Sequence, residues 1–577
     1  MIHSIDSNNP HFKRIEFDSG FNIILAERTK TSTKKDSRNG LGKTTLINII
    51  HFCLGGDPKD SLTSSKLNDW TFNLELDLNN KKYVISRNMN NTNSIFIDGD
   101  YSDWPIKPKF DADTGKYFLT KDSWRKILGL YVFDLPIGLP TFNPTFGSMI
   151  SYFIRKPDGF LHPFKQSSSQ QIWDIQTNNA YLLDLGWKYA TEWQILRKKK
   201  NDLDAFKREL DTGKFSGFMG NIGELEAEKI RLDDKAIKEK EKINNFQISE
   251  QYERIEQDSN EITQLIHDET NQNIMDQLIL DRYNSSLEKE TDADYEMVSN
   301  IYREAGVNFS ANITKTLDEV HNFHVSIVEN RRDFLKSEIE RLENNVFVRT
   351  QNIEKLDQKR SNLMQILKTH GALKEYTQIQ TNYYDSLTHL NDIVAKLDNI
   401  KNIQEKSNQL KIAKQKLYQN ALIDMKERTS QKINAVRIFG SFSSTLYDEF
   451  GTLSINLTEN GFEFDIKIRR SSSQGIENMK VFCYDLTLAK IWSEKYRNPG
   501  FLIHDSMIFD GVDERQRAGA LQLAKSTSES AGFQYICTLN SDMIPHDDLD
   551  NTFVLHDYVR RTLTDATADG GLLGIRI

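Results

Sequence analysis

Proline is scarce in this chain of 577 residues and unevenly spread: there are 11, and none falls between Pro163 and Pro499. Proline removes a helical donor and clashes with the preceding turn, so its absence from a long charged stretch predicts long helices. Cysteine is scarcer still. Cys53, Cys483 and Cys537 stand in unrelated contexts without a CxxC pair. Neither a disulfide framework nor a zinc site is expected, and buried, reduced thiols of a cytoplasmic protein are. No apolar run reaches the roughly 18 residues of a membrane-spanning helix, so no membrane partner is expected. The opening MIHSIDSNNPHFKRIEF reads as neither a signal nor a transit peptide. Hydrophobic residues make up 38% and charged ones 27%. That is apolar-poor for one large globule, yet far from a disordered composition. A formal net charge of -9 argues against a uniformly basic nucleic-acid coat and leaves room for local basic patches.

What is present falls into three parts. Residues 1–182 read as mixed α/β. Phe21–Leu25 is a short apolar strand and Leu46–Phe52 an apolar helix. Phe72–Leu78 and Lys82–Ser86 alternate with period two on either side of Asn79-Asn80, and a further hairpin is expected near Ser94–Gly99. Residues 183–430 change to a helical period. Leu335, Ile339, Leu342, Val346, Ile353, Leu356, Leu363 and Leu367 occupy a and d positions of one heptad frame, with Arg349 and Arg360 as the exceptions. This spacing predicts a coiled coil. Gly213, Gly217, Gly220, Gly223, Asn244-Asn245-Phe246 and Gly371 mark breaks, and the chain is expected to reverse near 304–312, with Ser310 or Asn312 as cap. Residues 431–577 return to alternation, with a hairpin expected around Glu459-Asn460-Gly461.

The most specific motif is Arg38-Asn39-Gly40-Leu41-Gly42-Lys43-Thr44-Thr45. Lying between a strand and a helix, it fits a phosphate-binding loop, whose glycines let backbone N–H groups wrap the phosphates at a helix N-terminus. Lys43 is expected to reach the β- and γ-phosphates of ATP, and Thr44 to place its hydroxyl on Mg²⁺. Ser37 stands where GxxxxGK[ST] has its first glycine. In Phe501-Leu502-Ile503-His504-Asp505 an apolar strand ends in a carboxylate, the form in which a Walker B aspartate reaches such a magnesium.

NGLGKTTLINIIHFCLGG, PGFLIHDSMIFDGVDERQ and CTLNSD together resemble ABC-type ATPases of the structural-maintenance-of-chromosomes, RecF, RecN and SbcC group. More narrowly, they resemble the uncharacterised bacterial SMC-like ATPases of three-component ABC conflict systems. The resemblance covers both end regions, and the middle only in kind. It implies an α/β, bipartite ABC-type P-loop ATPase head split by a long antiparallel α-helical coiled coil. Residues 1–182 and 431–577 would be its two halves, and 183–430 its arm. It further implies that Ser473 and Gly475 form the signature loop, that Asp513 is the D-loop residue, and that Thr44 and Asp505 hold the metal. Asn540 stands in place of the switch histidine, and Ser506 in place of the glutamate that polarises the attacking water. Serine is a poor general base, so Asp510, Glu514 or His504 are the alternatives for that work. No Q-loop glutamine is evident; Arg155 stands in the corresponding region.

The implied function is ATP-dependent dimerisation of two heads around sandwiched nucleotide. Closure would move the arms for DNA binding or sensing within an antiphage or plasmid-defence complex with accessory or effector subunits. The alternatives are an ATP-gated scaffold with little hydrolysis, or a repair ATPase partnering a nuclease. Charge bears on the DNA expectation. Residues 241–330 hold 6 Lys+Arg against 19 Asp+Glu, whereas 401–420 hold 5 against 1 and Arg197-Lys198-Lys199-Lys200 is a basic run. Nucleic acid would be drawn to the basic stretches, expected near the head, and repelled from the acidic one.

Overall fold

The computed structural model describes the chain except residues 28–39, 157–158, 161, 213–220, 247–249, 290–311, 369–372, 469–472, 546, 551–552, 568 and 576–577. Contacts divide it into two units. One is built chiefly from Met1–Leu196 and Lys414–Ile577, the other from Arg197–Tyr295 and Asn322–Ala413.

The first unit holds a five-stranded sheet to which both ends of the chain contribute. Its strands are β3 (Phe21–Glu27), β9 (Ile154–Arg155), β12 (Phe501–His504), β13 (Gln534–Asn540) and β14 (Val559–Thr564), in the order β14-β3-β13-β12-β9. All pairings are parallel, with Ile23 opposite Cys537 and His504 opposite both Cys537 and Arg155. Parallel strands need both faces covered, and their sequences are accordingly apolar runs rather than alternations. Every residue of β12 is buried. Helices α1 (Lys43–Cys53), α11 (Gln474–Ser493) and α12 (Glu514–Ala531) belong to the same unit, and one continuous core cluster draws on residues from both ends of the chain.

A second, seven-stranded sheet adds β1 (Ile2–Ser7), β2 (Ile15–Glu16), β6 (Ser94–Gly99), β7 (Lys109–Asp111) and β8 (Lys116–Thr120) to the two strands described next, in the order β2-β1-β4-β5-β6-β8-β7. Its ribbon of β4 (Thr71–Leu78) and β5 (Lys81–Asn88) has the alternation expected of it, burying Phe72, Leu74, Leu76 and Leu78. Asn79 and Asn80 both take positive φ, 52° and 61°. That is the turn whose twist matches a two-residue hairpin, and asparagine tolerates it. One inward residue of β5 is charged. Arg87 donates to the carbonyls of Gly56, at 2.5 Å, and Phe52, while Arg125 donates to Gly55 at 3.0 Å and Trp124 Nε1 to Cys53 at 3.1 Å. Carbonyls at a helix C-terminus lack helical partners and carry the negative end of the dipole, so buried guanidinium groups complete α1 there. The expected hairpin around Glu459-Asn460-Gly461 joins β10 (Thr452–Thr458) to β11 (Gly461–Lys467).

The second unit is helical and includes α6 (Ile222–Asn244), α7 (Glu250–Lys289) and parts of α8 (Asn312–Leu367) and α9 (Leu373–Glu427). Helices α7 and α8 run antiparallel: Asn273 meets Thr350, Asp276 meets Arg349, and Leu280 clusters with Ile339 and Leu342. Helices α6 and α9 form a second antiparallel pair through Leu225, Leu232, Ile393, Leu397 and Ile400, flanked by a Lys401–Glu226 ion pair of 3.4 Å. In α8 all ten a and d positions from Leu335 to Leu367 are buried or half-buried, as the heptad requires. Arg349, the first exception, serves the seam by charge. It reaches Asp276 at 2.5 Å and Glu269 at 3.7 Å on α7. Apart from Asn312, which begins α8, the expected reversal at 304–312 lies outside the described residues, as do Gly213, Gly217, Gly220 and Gly371.

Candidate functional site

The loop between β3 and α1 ends in a glycine-built turn. Gly40 and Gly42 have φ of 100° and 99°, the left-handed region that glycine enters without a Cβ clash. Gly42 is the N-cap, so α1 begins directly at Lys43, and its first backbone N–H groups face the loop at the positive end of the helix dipole. Lys43 and Thr45 are buried and Leu41 is core. Arg38 and Asn39 lie outside the described residues.

Strands β12 and β13 end beside this turn and deliver the other candidates. The Thr44 hydroxyl donates to Asp505 Oδ2 at 2.8 Å. Lys43 Nζ donates to Asn540 Oδ1 at the end of β13. Ser506 follows Asp505; its amide donates to Thr538 Oγ1 at 3.0 Å and its hydroxyl to Asp505 Oδ1 at 3.3 Å. Gly40–Thr45, Asp505, Ser506 and Asn540 therefore form one cluster at the carboxyl end of a parallel sheet, where such sheets commonly place ligands.

Ser473, Gly475 and Asp513 gather in a neighbouring group. Helix α11 starts at Gln474, where the Ser473 hydroxyl caps it by accepting from the Ile476 amide at 3.4 Å. Asp513 caps α12, accepting from the Arg515 amide at 3.1 Å. A Cβ on Gly475 would collide with the Gly511 carbonyl, so the first turn of α11 touches the segment before α12 through backbone. Asn478 ties this group to the first: its side-chain amide donates to the carbonyls of Met507, at 3.2 Å, and Asp510, at 3.0 Å. The Met507 amide in turn donates to Asp505 Oδ1 at 3.2 Å.

Two sequence expectations change here. His504 is not a base within reach of substrate. It is fully buried, its Nε2 facing Asp485 Oδ2 at 3.1 Å and its Nδ1 facing the Tyr535 hydroxyl at 2.9 Å. A carboxylate only accepts, which places the ring proton on Nε2 and leaves Nδ1 to accept from Tyr535. Burial holds this imidazole below its ordinary pKa, with Asp485 opposing. Arg155 is likewise committed. Its guanidinium binds both oxygens of Asp485 and the carbonyls of Gly159, at 2.7 Å, Pro163, at 2.9 Å, and Lys165, at 3.0 Å. A side chain with these contacts holds the backbone at Gly159, Pro163 and Lys165 and cannot also reach into a phosphate site. Of the three alternative bases, Asp510 stands out. Burial and the Asp505 charge push its carboxyl above the ordinary value, with Lys43 pulling it back. Such coupling puts it within electrostatic reach of the cluster.

Thr538, Asn478 and Asp485 were not anticipated. Thr538 and Asp485 nevertheless left a trace, a polar residue inside an apolar run, in YICTLN and FCYDLTLA, whereas Asn478, between Glu477 and Lys480, left none. A group of that kind needs a partner when buried.

The family described as "Uncharacterised protein conserved in bacteria (DUF2326)" matches residues 442–577, a span that holds Asp505 and Asn540 and not the glycine turn. No curated protein matches. Among solved structures, the chain is similar to the Smc head domain with a coiled coil and joint derived from Pyrococcus yayanosii. The identity is 12% and the TM-score 0.35, over 98% of this chain and 94% of that one. It is also similar to the Smc head domain with an extended coiled coil bound to the C-terminal domain of ScpA, derived from Pyrococcus furiosus. There the identity is 12% and the TM-score 0.33, over 94% and 90% of the two chains. Among the described residues no helix is long and apolar enough to cross a membrane.

Proposed function

We propose that this chain is an SMC-like ABC ATPase whose head binds ATP with Mg²⁺ at the Gly40–Thr45 turn. The observation that carries the reading is the 2.8 Å hydrogen bond from Thr44 to Asp505. It sets a hydroxyl and a carboxylate side by side at the start of α1, with Lys43 over Asn540 next to them. Two adjacent hard oxygens are the donor set magnesium takes when phosphate and water complete its shell. Among the described residues no group of three or more His, Cys, Asp and Glu forms a self-sufficient metal centre. A cation here would therefore rely on Thr44, Asp505 and the nucleotide. Magnesium so held would neutralise charge on the β- and γ-phosphates.

The chain's own groups supply the rest. Backbone N–H groups of the turn and the positive end of α1 hold phosphate, and Lys43 offsets its charge. Asn540 is placed to sense the γ-phosphate with its amide. Ser506 offers no carboxylate for water activation, which leaves Asp510, electrostatically coupled to Asp505 and Lys43, as the candidate base and favours slow turnover. Ser473 and Gly475 would meet the γ-phosphate of a second copy, giving a homodimer closed around two nucleotides.

Movement of the helical arms on closure, DNA near the basic runs at 197–200 and 401–420, and effector or accessory subunits of a defence complex extend this proposal. They draw on the sequence resemblance and on the charge pattern. The second reading, an ATP-gated scaffold with little hydrolysis, is favoured by Ser506 alone. Purified protein with Mg-ATP, with and without DNA, separates the two. Turnover abolished by Lys43→Ala supports the ATPase. Nucleotide-dependent dimerisation without turnover supports the scaffold. Absence of both nucleotide binding and dimerisation sinks both.

A further inference from the structure

The segment Gly570–Ile575 runs directly against the phosphate-loop turn. The Leu572 amide donates to the Leu41 carbonyl at 2.9 Å, and the Leu572 carbonyl accepts from the Lys13 amide at 2.9 Å. Leu572 is fully buried. A Cβ on Gly42 would stand 2.6 Å from Leu572 Cβ, and one on Gly571 would stand 3.2 Å from the Leu41 carbonyl oxygen. At its two ends the segment is fastened again. The Thr564 amide at the end of β14 donates to Gly570 at 3.0 Å, and Gly574 fits so closely to the His11 carbonyl that any side chain there would collide.

We infer that Leu572 is a positioning residue of the nucleotide site: the docked segment holds the Leu41–Gly42 peptide in the orientation that phosphate binding needs. The inference rests on the nucleotide-binding reading above. In a planar trans peptide the carbonyl and the following N–H point opposite ways. Fixing the Leu41 carbonyl toward Leu572 therefore aims the Gly42 N–H away from the segment. Gly40 and Gly42 are left-handed and conformationally free, so an unbraced turn would have to be ordered by the ligand at a cost in affinity. The brace removes part of that cost beforehand. Coupling of this kind is reciprocal, so nucleotide bound at the turn tightens the docking of Leu572 by the same factor.

Full-length protein is compared as wild type, Leu572→Ala, Leu572→Met and Lys43→Ala, with a fluorescent ATP analogue and Mg²⁺. Leu572→Ala is expected to weaken nucleotide binding about tenfold, and Leu572→Met to restore most of it. In wild type, amide hydrogen exchange of the peptide containing Leu572 is expected to slow several-fold on adding the nucleotide. The Lys43→Ala protein should show no such slowing. Exchange in wild type is read without altering Leu572, so it stands even if Leu572→Ala folds poorly. Unaltered affinity in a folded Leu572→Ala protein, or exchange indifferent to nucleotide that wild type demonstrably binds, overturns this inference and leaves the site reading intact. Failure of wild type to bind nucleotide overturns both.

Discussion

Asp485 and Arg155 meet in a place that neither shares with solvent, the carboxylate on α11 receiving two hydrogen bonds from the guanidinium on β9. The same carboxylate faces His504 on β12. One residue thus joins a helix from the late part of the chain, an edge strand from the early part and the strand that presents Asp505.

A buried ion pair is costly to break because the surviving charge is left without a partner. Arg155→Ala or Asp485→Ala should each lose about 3–5 kcal/mol of unfolding free energy. Arg155→Met combined with Asp485→Leu should lose less than either alone, since no orphan charge remains. Urea unfolding of the three proteins measures this; additive losses would contradict it.

Acidification should destabilise the protein through two histidines. His51 is buried with neither ring nitrogen hydrogen-bonded among the described residues, and burial, with Lys156, Lys59, Arg125 and Arg87 nearby, holds its pKa well below the ordinary value. His504 is lowered by burial, with Asp485 opposing and Arg155 assisting. Between the native and unfolded pKa values the unfolded chain binds more protons, so stability rises with pH. The contribution of these two groups is therefore full above about pH 6.5 and falls progressively as pH drops below it through the native values. Denaturation midpoints at pH 7.5 and 5.5 test this, and His51→Leu should flatten the difference.

If Ser506 limits hydrolysis, restoring a carboxylate beside Asp505 should accelerate it. Ser506→Glu is expected to raise ATP turnover at least about tenfold, toward the usual range for a general base. Asp510→Asn should lower whatever turnover wild type has. Phosphate-release assays decide; a Ser506→Glu protein that binds ATP and turns over no faster would rule out the missing glutamate as the cause.

In the helical unit, Arg349 on α8 and Asp276 on α7 are joined across the seam. Each single exchange, Arg349→Asp or Asp276→Arg, should lower the thermal midpoint by opposing like charges. The double exchange should recover most of the loss, because the pair is half-buried and close. A double-mutant cycle with a coupling energy below about 0.5 kcal/mol would show that the pair adds nothing to register.

Local physics alone determined much of this protein. Strand alternation at Phe72–Leu78, the Asn79-Asn80 turn, the heptad seam of α8 and the long helices between Pro163 and Pro499 were legible because each depends on a periodicity or a steric rule a few residues long. The glycine turn ahead of Lys43 was legible for the same reason. Tertiary structure decided what touches what. It set Thr44 beside Asp505 across 461 positions of chain, and Lys43 beside Asn540 across 497. It withdrew Arg155 and His504 into a buried network with Asp485, and it brought Leu572 onto the back of Gly42. None of these had a local signal that named its partner, since a parallel sheet built from both ends of a chain pairs residues by topology rather than by spacing.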